Sequence, residues 1–313
     1  MAAARAAVQA ATPSRRAAAR APQMIRPQKV RTTGLLATLL ALLALAPSAN
    51  ARVPEVTTIS PADHQRLRQS ASIGMLLHAH DRAAWVSRRT LAAQADGSPT
   101  AETGGRHVVE MTAGQRLRVT FYRGVDAGAR AYFVTDVEKD AVVRAQWLPT
   151  PAPLTTGQAA LARARETAIG AAFAKGYRPC TASPFNSVAI ASSSGSIAVY
   201  LMTVPTTPTH YPVGGHYRIV VGPDGAILSS RTFGAACLNI AVPTMPDDMK
   251  AGGARSDATR PVALFATDGQ EAVPTEIHVF ASYALRLPLY VATGDRRLWR
   301  VGGLRIELRH DGR

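Results

Sequence analysis

The chain is short of aromatic residues (6%), has two cysteines, and carries no acidic residue in its first 51 positions. Each shortage excludes something. The longest uncharged apolar run, Gly34 to Ala46 (GLLATLLALLALA), falls short of the ~20 residues needed to cross a bilayer as a helix. No Ser sits in a Gly-x-Ser-x-Gly elbow, and no glycine-rich loop joins a strand pattern to a helix pattern. Nucleophile-elbow and nucleotide-cradling chemistry therefore have no motif to rest on. No Lys/Arg block is interleaved with aromatics, so the chain also lacks the basic stripe of a nucleic-acid binder, and no nucleic-acid partner is expected.

What is present begins with a leader. Seven basic residues lie in the acid-free first 51 positions: Arg5, Arg15, Arg16, Arg20, Arg26, Lys29 and Arg31. The whole chain holds 36 basic and 21 acidic residues. Setting the seven aside leaves 29 against 21, a body of about +8 where the chain as a whole is +15. Arg26, Lys29 and Arg31 precede the apolar run, and Ala49-Asn50-Ala51 follows it as a small-x-small cleavage pattern. This is the layout of a secretory signal peptide. The reading expects translation from Met24, the Ala/Arg-rich 1–23 being a misassigned start, and cleavage after Ala51. The mature chain is then periplasmic or secreted, with no stable membrane span. In such a compartment two cysteines favour a disulfide, Cys180 to Cys237.

The body reads as α+β, two long helices packed on antiparallel β-meanders. Ser60-Pro61-Ala62-Asp63 is a helix start, with a cap, a first-turn proline and an acid at the positive end of the dipole. Leu67, Ala71, Gly74 and Leu77 continue at helical spacing to about Trp85. Four short strands follow up to Trp147, giving a helix plus meander over 52–150. Pro149, Pro151 and Pro153 are expected to form a stiff linker. The second half, 151–313, starts with a helix from Thr155 or Thr156 to Gly176. Strands are expected at 186–191, 197–204, 216–221 and 226–233, with a loop over 240–258. Further strands are expected at 275–283, 289–293 and 298–301, and a Gly302-Gly303 hairpin leads into the last one.

The candidate site rests on strand parity. His216 and Arg218 are two apart, as are Glu276 and His278, so each pair shares a face if its segment is a strand. Two imidazoles, a carboxylate and a guanidinium gathered on one sheet would make a ligand or metal cluster. They could also pair as a general base and the group orienting it. The plainer alternative is the polar, solvent-facing side of a half-covered sheet, with Glu276 paired to Arg218. His78-Ala79-His80-Asp81 looks metal-like but sits on a helix, where residues two apart diverge and cannot chelate together. The tail from Pro274 to Val301 resembles the end of JAB-type metallopeptidase domains. Ala266-Thr267-Asp268-Gly269 stands where those domains carry a His-x-His-Pro metal motif, so the resemblance implies at most a metal-free relative used for binding. The expectation is an exported binding or envelope-accessory module without a cofactor. The alternative is a hydrolase, possibly metal-dependent, built on His216, Glu276 and His278. Catalytic residues, substrate and partners are not legible.

Overall fold

The computed structural model describes residues 58–94, 106–207, 210–234, 237–241 and 263–309. These fall in one compact unit running from Pro54 to Arg313. The leader, the Met24 start and the Ala51 cleavage site lie outside the described residues, as does most of the loop expected over 240–258.

The described residues form an α+β structure of three helices and several sheets, most of them antiparallel. Helix α1 (Pro61–Gln94) spans 34 residues. It starts where the sequence indicates, with the Ser60 hydroxyl accepting from the Asp63 N–H at 3.0 Å. It runs past Trp85 without a break. Its buried stripe, Leu67, Ser70, Gly74, Leu77, His80, Ala84, Ser87 and Leu91, steps by three or four and is rich in small residues. The small residues let other elements approach closely.

Strands β1 (Arg106–Met111), β2 (Leu117–Arg123), β3 (Arg130–Glu138) and β4 (Ala141–Pro153) form the first sheet in the order β1-β2-β3-β4. The C-terminal half of α1 covers one face through Ala83 and Leu91 against Val119, Phe121, Phe133 and Val137. The proline stretch is not a linker. Pro149, Pro151 and Pro153 lie within β4, whose far end pairs Pro153 with Arg130 and Ala152 with Ala131 across a bulge. The physical reason is position: β4 is the edge of its sheet, where a missing N–H costs no ladder bond.

Helix α2 (Thr156–Ala174) opens with a complete capping box between Thr155 and Gln158. Its alanines Ala164, Ala168 and Ala172 pack on the second sheet. That sheet has the order β5-β6-β8-β9, from β5 (Asn186–Ala191), β6 (Ile197–Met202), β8 (His216–Val221) and β9 (Ile227–Phe233). A two-stranded ribbon of β7 (His210–Val213) and β10 (Leu238–Ala241), absent from the sequence reading, stands apart from it.

The third sheet departs most from expectation. Residues 276–285 are not a strand but helix α3 (Glu276–Leu285). It links β11 (Leu264–Asp268), a strand the sequence reading missed, to β12 (Leu289–Thr293), and these two pair in parallel. Strands β13 (Leu298–Gly302) and β14 (Arg305–Arg309) complete the sheet antiparallel. The misreading has a cause. Glu276-Ile277-His278-Val279 alternates polar and apolar with a strand's period of two, and the ten-residue helix is too short for its own period to override that. Its β-branched and aromatic residues then look like a strand.

Helices α1 and α3 meet at Gly74. A Cβ there would lie 2.5 Å from the Val279 Cβ and 2.6 Å from the Glu276 carbonyl oxygen. Two physical effects therefore oppose each other in Gly74→Ala. Helix propensity alone gains about 1 kcal/mol; overpacking against α3 costs roughly 1–3 kcal/mol. The Glu276 carbonyl is backbone and cannot swing aside, so the upper end of that cost applies and we expect a net loss of about 2 kcal/mol in chemical denaturation. A variant as stable as the wild type would show that the helices are free to separate.

Candidate functional site

The second sheet is covered on both faces, and this decides the character of the candidate site. Val199, Leu201, Ile219 and Val221 point to α2. The opposite face carries Val188, Tyr200, Met202 and Phe233, packed against Leu77 of α1 and Ile277 and Phe280 of α3. His216 and Arg218 belong to this second face, since Tyr200, Arg218 and Arg231 are directly opposed across β6, β8 and β9. The strand parity holds for β8, but the face is closed by helices where the sequence reading left it open to solvent. Glu276 and His278 come to it from the first turn of α3, not from a neighbouring strand. The four residues therefore do not share one face of one sheet. They meet across a helix–sheet interface.

The contacts there are specific. Glu276, 4% exposed, accepts from Arg218 Nη1 and from the Tyr200 hydroxyl, each at 3.0 Å. Burial first, and then the Glu276 carboxylate, pushes the Tyr200 hydroxyl well above its ordinary pKa. Arg231 reaches Glu271 at 2.6 Å, tying β9 to the segment between β11 and α3. The guanidinium of Arg297 holds the same segment from the other side. It bonds the Ala272 carbonyl at 2.9 Å and Asp63 of α1 at 3.1 Å, and pairs with Asp295. Carboxylates and arginines thus lock α3 and its approach segment between α1, the second sheet and the third.

The two histidines are held in one tautomer. The backbone N–H of Thr203 donates to His216 Nδ1 at 3.2 Å, and the backbone N–H of Thr275 donates to His278 Nδ1 at 3.0 Å. A ring nitrogen that accepts an N–H bond carries no proton, so in each neutral ring the proton sits on Nε2. His278 Nε2 faces Asp268 Oδ2 at 3.9 Å. Burial lowers the pKa of both rings; for His216, with His278 nearby, it falls to about 4.

This arrangement bears on the metal reading. Metal-ligating imidazoles bind through one nitrogen and donate a proton from the other. Here the other nitrogen is an acceptor, so Nε2 can ligate only if the backbone bond breaks or the ring becomes an imidazolate. The donor set does not fit a metal. Among the described residues, no group of three or more His, Cys, Asp or Glu side chains is placed to hold one. His78, His80 and Asp81 part company as their helical spacing requires. His78 stacks on Tyr283, His80 Nδ1 bonds the Leu76 carbonyl oxygen at 2.9 Å, and Asp81 accepts from Asn186.

The disulfide adjoins the cluster. Cys180 and Cys237 are bonded, with Cα atoms 5.2 Å apart. The Cys180 N–H donates to the Thr203 hydroxyl at 3.2 Å, and that hydroxyl donates to the Gly215 carbonyl at 2.9 Å. Gly215 has φ +65°, and its missing side chain makes room for the Cys180 sulfur. One threonine therefore joins the bridge to His216.

Sequence reasoning missed Tyr200, Thr203, Arg231, Asp268 and Glu271 as members of this cluster. The signal it could have used is Thr275-x-x-His278, which repeats the spacing of the Thr155-x-x-Gln158 capping box. Comparison of the chain with protein-family models and with curated proteins returned no match.

Proposed function

We propose that the chain is an exported, non-enzymatic module, of a binding or envelope-accessory kind, whose polar cluster serves architecture and not turnover. The observation that carries this reading is the commitment of the reactive groups. Both imidazole Nδ1 atoms are occupied by backbone N–H donors, and Glu276 Oε1 accepts from both Arg218 and Tyr200. A general base needs a free lone pair aimed at substrate; His278 Nδ1 and Glu276 Oε1 spend theirs on holding α3, and His216 Nδ1 spends its own on the chain after β6. Export is supported by the leader pattern and by a disulfide, which suits an oxidising compartment. No helix among the described residues is long and apolar enough to cross a membrane.

The hydrolase alternative draws on one fact, the convergence of the His and Glu residues, and zinc separates the two readings. In calorimetric titration of the disulfide-bonded protein, zinc binding is expected to be weak and the same in wild type and His278→Ala. A stoichiometric site lost in the variant would favour the hydrolase. Export is tested by expressing the full chain in a bacterium and sequencing the released protein. The expected N-terminus is Arg52, and a membrane-retained product beginning near Met24 would overturn the assignment.

A further inference from the structure

Helix α3 is capped by a residue that can titrate. In α2 the capping box is Thr155-x-x-Gln158, and the glutamine Oε1 accepts from the Thr155 N–H at 3.1 Å. An amide does this at any pH. In α3 the same place is taken by His278, whose Nδ1 accepts from the Thr275 N–H. An imidazole accepts only while neutral: protonation makes Nδ1 a donor, which ends the bond from the Thr275 N–H that caps α3 and leaves the ring only the Thr275 hydroxyl oxygen, 3.1 Å away, to donate to. His216 on β8 makes the same kind of bond to the Thr203 N–H and is near enough to His278 for a charge on that ring to disfavour its own.

We propose that His278 and His216 form an acid-operated latch, in which protonation uncaps α3 and releases its first turns from the second sheet while the first sheet stays folded. What opens is an apolar surface, Ile277 and Phe280 on the helix against Tyr200, Met202 and Phe233 on the sheet. The latch does not depend on where the protein works, so it stands or falls apart from the export reading.

The surrounding charges set its balance. Asp268 from β11 and Glu276 from α3 itself favour a charged His278; Arg231 from β9 opposes it. On β8, Arg218 is already engaged by Glu276. Helix α1 closes the far side of α3 at Gly74. Burial outweighs the carboxylates and keeps both rings neutral when closed. A ring with its closed-state pKa below the open-state value of 6.5 favours the closed form fully above pH 6.5. That preference is lost as pH falls toward the closed-state value, about 4 for His216.

Hydrogen–deuterium exchange of the disulfide-bonded protein, corrected for the intrinsic pH dependence of exchange, reads the opening directly. Between pH 7.5 and 5.5 the opening constant of 276–285 is expected to rise by up to about 10-fold per histidine, about 100-fold for the pair. Strands β2 and β3 should remain protected. His278→Gln keeps a carbonyl acceptor at the capping position and should remove about half of this response on a logarithmic scale. Unchanged protection of α3 at pH 5.5, or the same pH response in wild type and His278→Gln, would overturn the latch. If the variant does not fold at pH 7.5, NMR titration of the wild-type imidazoles decides. Coincident midpoints for His278 ionisation and loss of α3 protection support the latch, and loss of protection without ionisation refutes it.

Discussion

Removing the Cys180–Cys237 bridge is expected to cost about 4 kcal/mol of global stability. The bridge joins residues 57 apart in sequence, and closing a loop of that length removes chain entropy worth about 4 kcal/mol from the unfolded state. The Cys180→Ala, Cys237→Ala double variant, unfolded in guanidinium beside the oxidised wild type, measures this. The effect should extend beyond the loop. Thr203 bonds the Cys180 N–H, the Gly215 carbonyl and His216 Nδ1 together, so the loss of the bridge should loosen the His216 end of the cluster. Exchange of the Thr203 amide should quicken more than that of amides in β2. A loss under 1 kcal/mol would mean that the unfolded chain is already constrained without the bridge.

Glu276→Ala is expected to destabilise the protein by roughly 3 kcal/mol. The reason is asymmetry. The wild-type pair with Arg218 gains little over an apolar replacement, because burying both charges is costly. Deleting one partner is another matter, since it strands Arg218, with 26% of its side chain exposed, and leaves the Tyr200 hydroxyl without its acceptor. That partial exposure lets water recover some of the loss and places the effect at the low end of the 3–5 kcal/mol range for broken buried pairs. Glu276→Gln keeps an acceptor and should cost about half as much. A second readout separates charge from packing. The Glu276 carboxylate helps to raise the Tyr200 pKa, so Glu276→Gln should let Tyr200 ionise at lower pH in a spectrophotometric titration. An alanine variant within 0.5 kcal/mol of wild type would show that the charges are hydrated and the cluster is loose.

The cluster explains why the polar residues look functional in the sequence. Glu276, His278, His216 and Arg218 are the types that make active sites, yet their distances and partners are those of a helix anchored on a sheet. An apolar interface would hold α3 as firmly. A polar one fixes its register, since hydrogen bonds are directional and form only where donor meets acceptor, and makes it responsive to pH.

By itself the sequence determined what depends on neighbours along the chain. Ser60 and Thr155 start α1 and α2 because a cap is satisfied within one turn. The alternation from Leu117 to Tyr122 and the Gly222-Pro223-Asp224-Gly225 turn specify strands and reversals locally, and so does the glycine pair of the last hairpin, although its turn falls one residue later than expected, at Gly303-Leu304. Strand parity also placed His216 and Arg218 on one face of β8. Only the tertiary structure decided what covers that face. Whether Pro149 to Pro153 is a linker or an edge strand depends on β3 being alongside. Whether 276–285 is strand or helix depends on burial from several sides at once, and on the parallel pairing of β11 with β12 that a helical crossover permits. The encounter of His216 with His278 joins residues 62 apart, through packing of α3 on the sheet and against Gly74. No local pattern encodes such a meeting, because its energy comes from surfaces that exist only after the chain has folded.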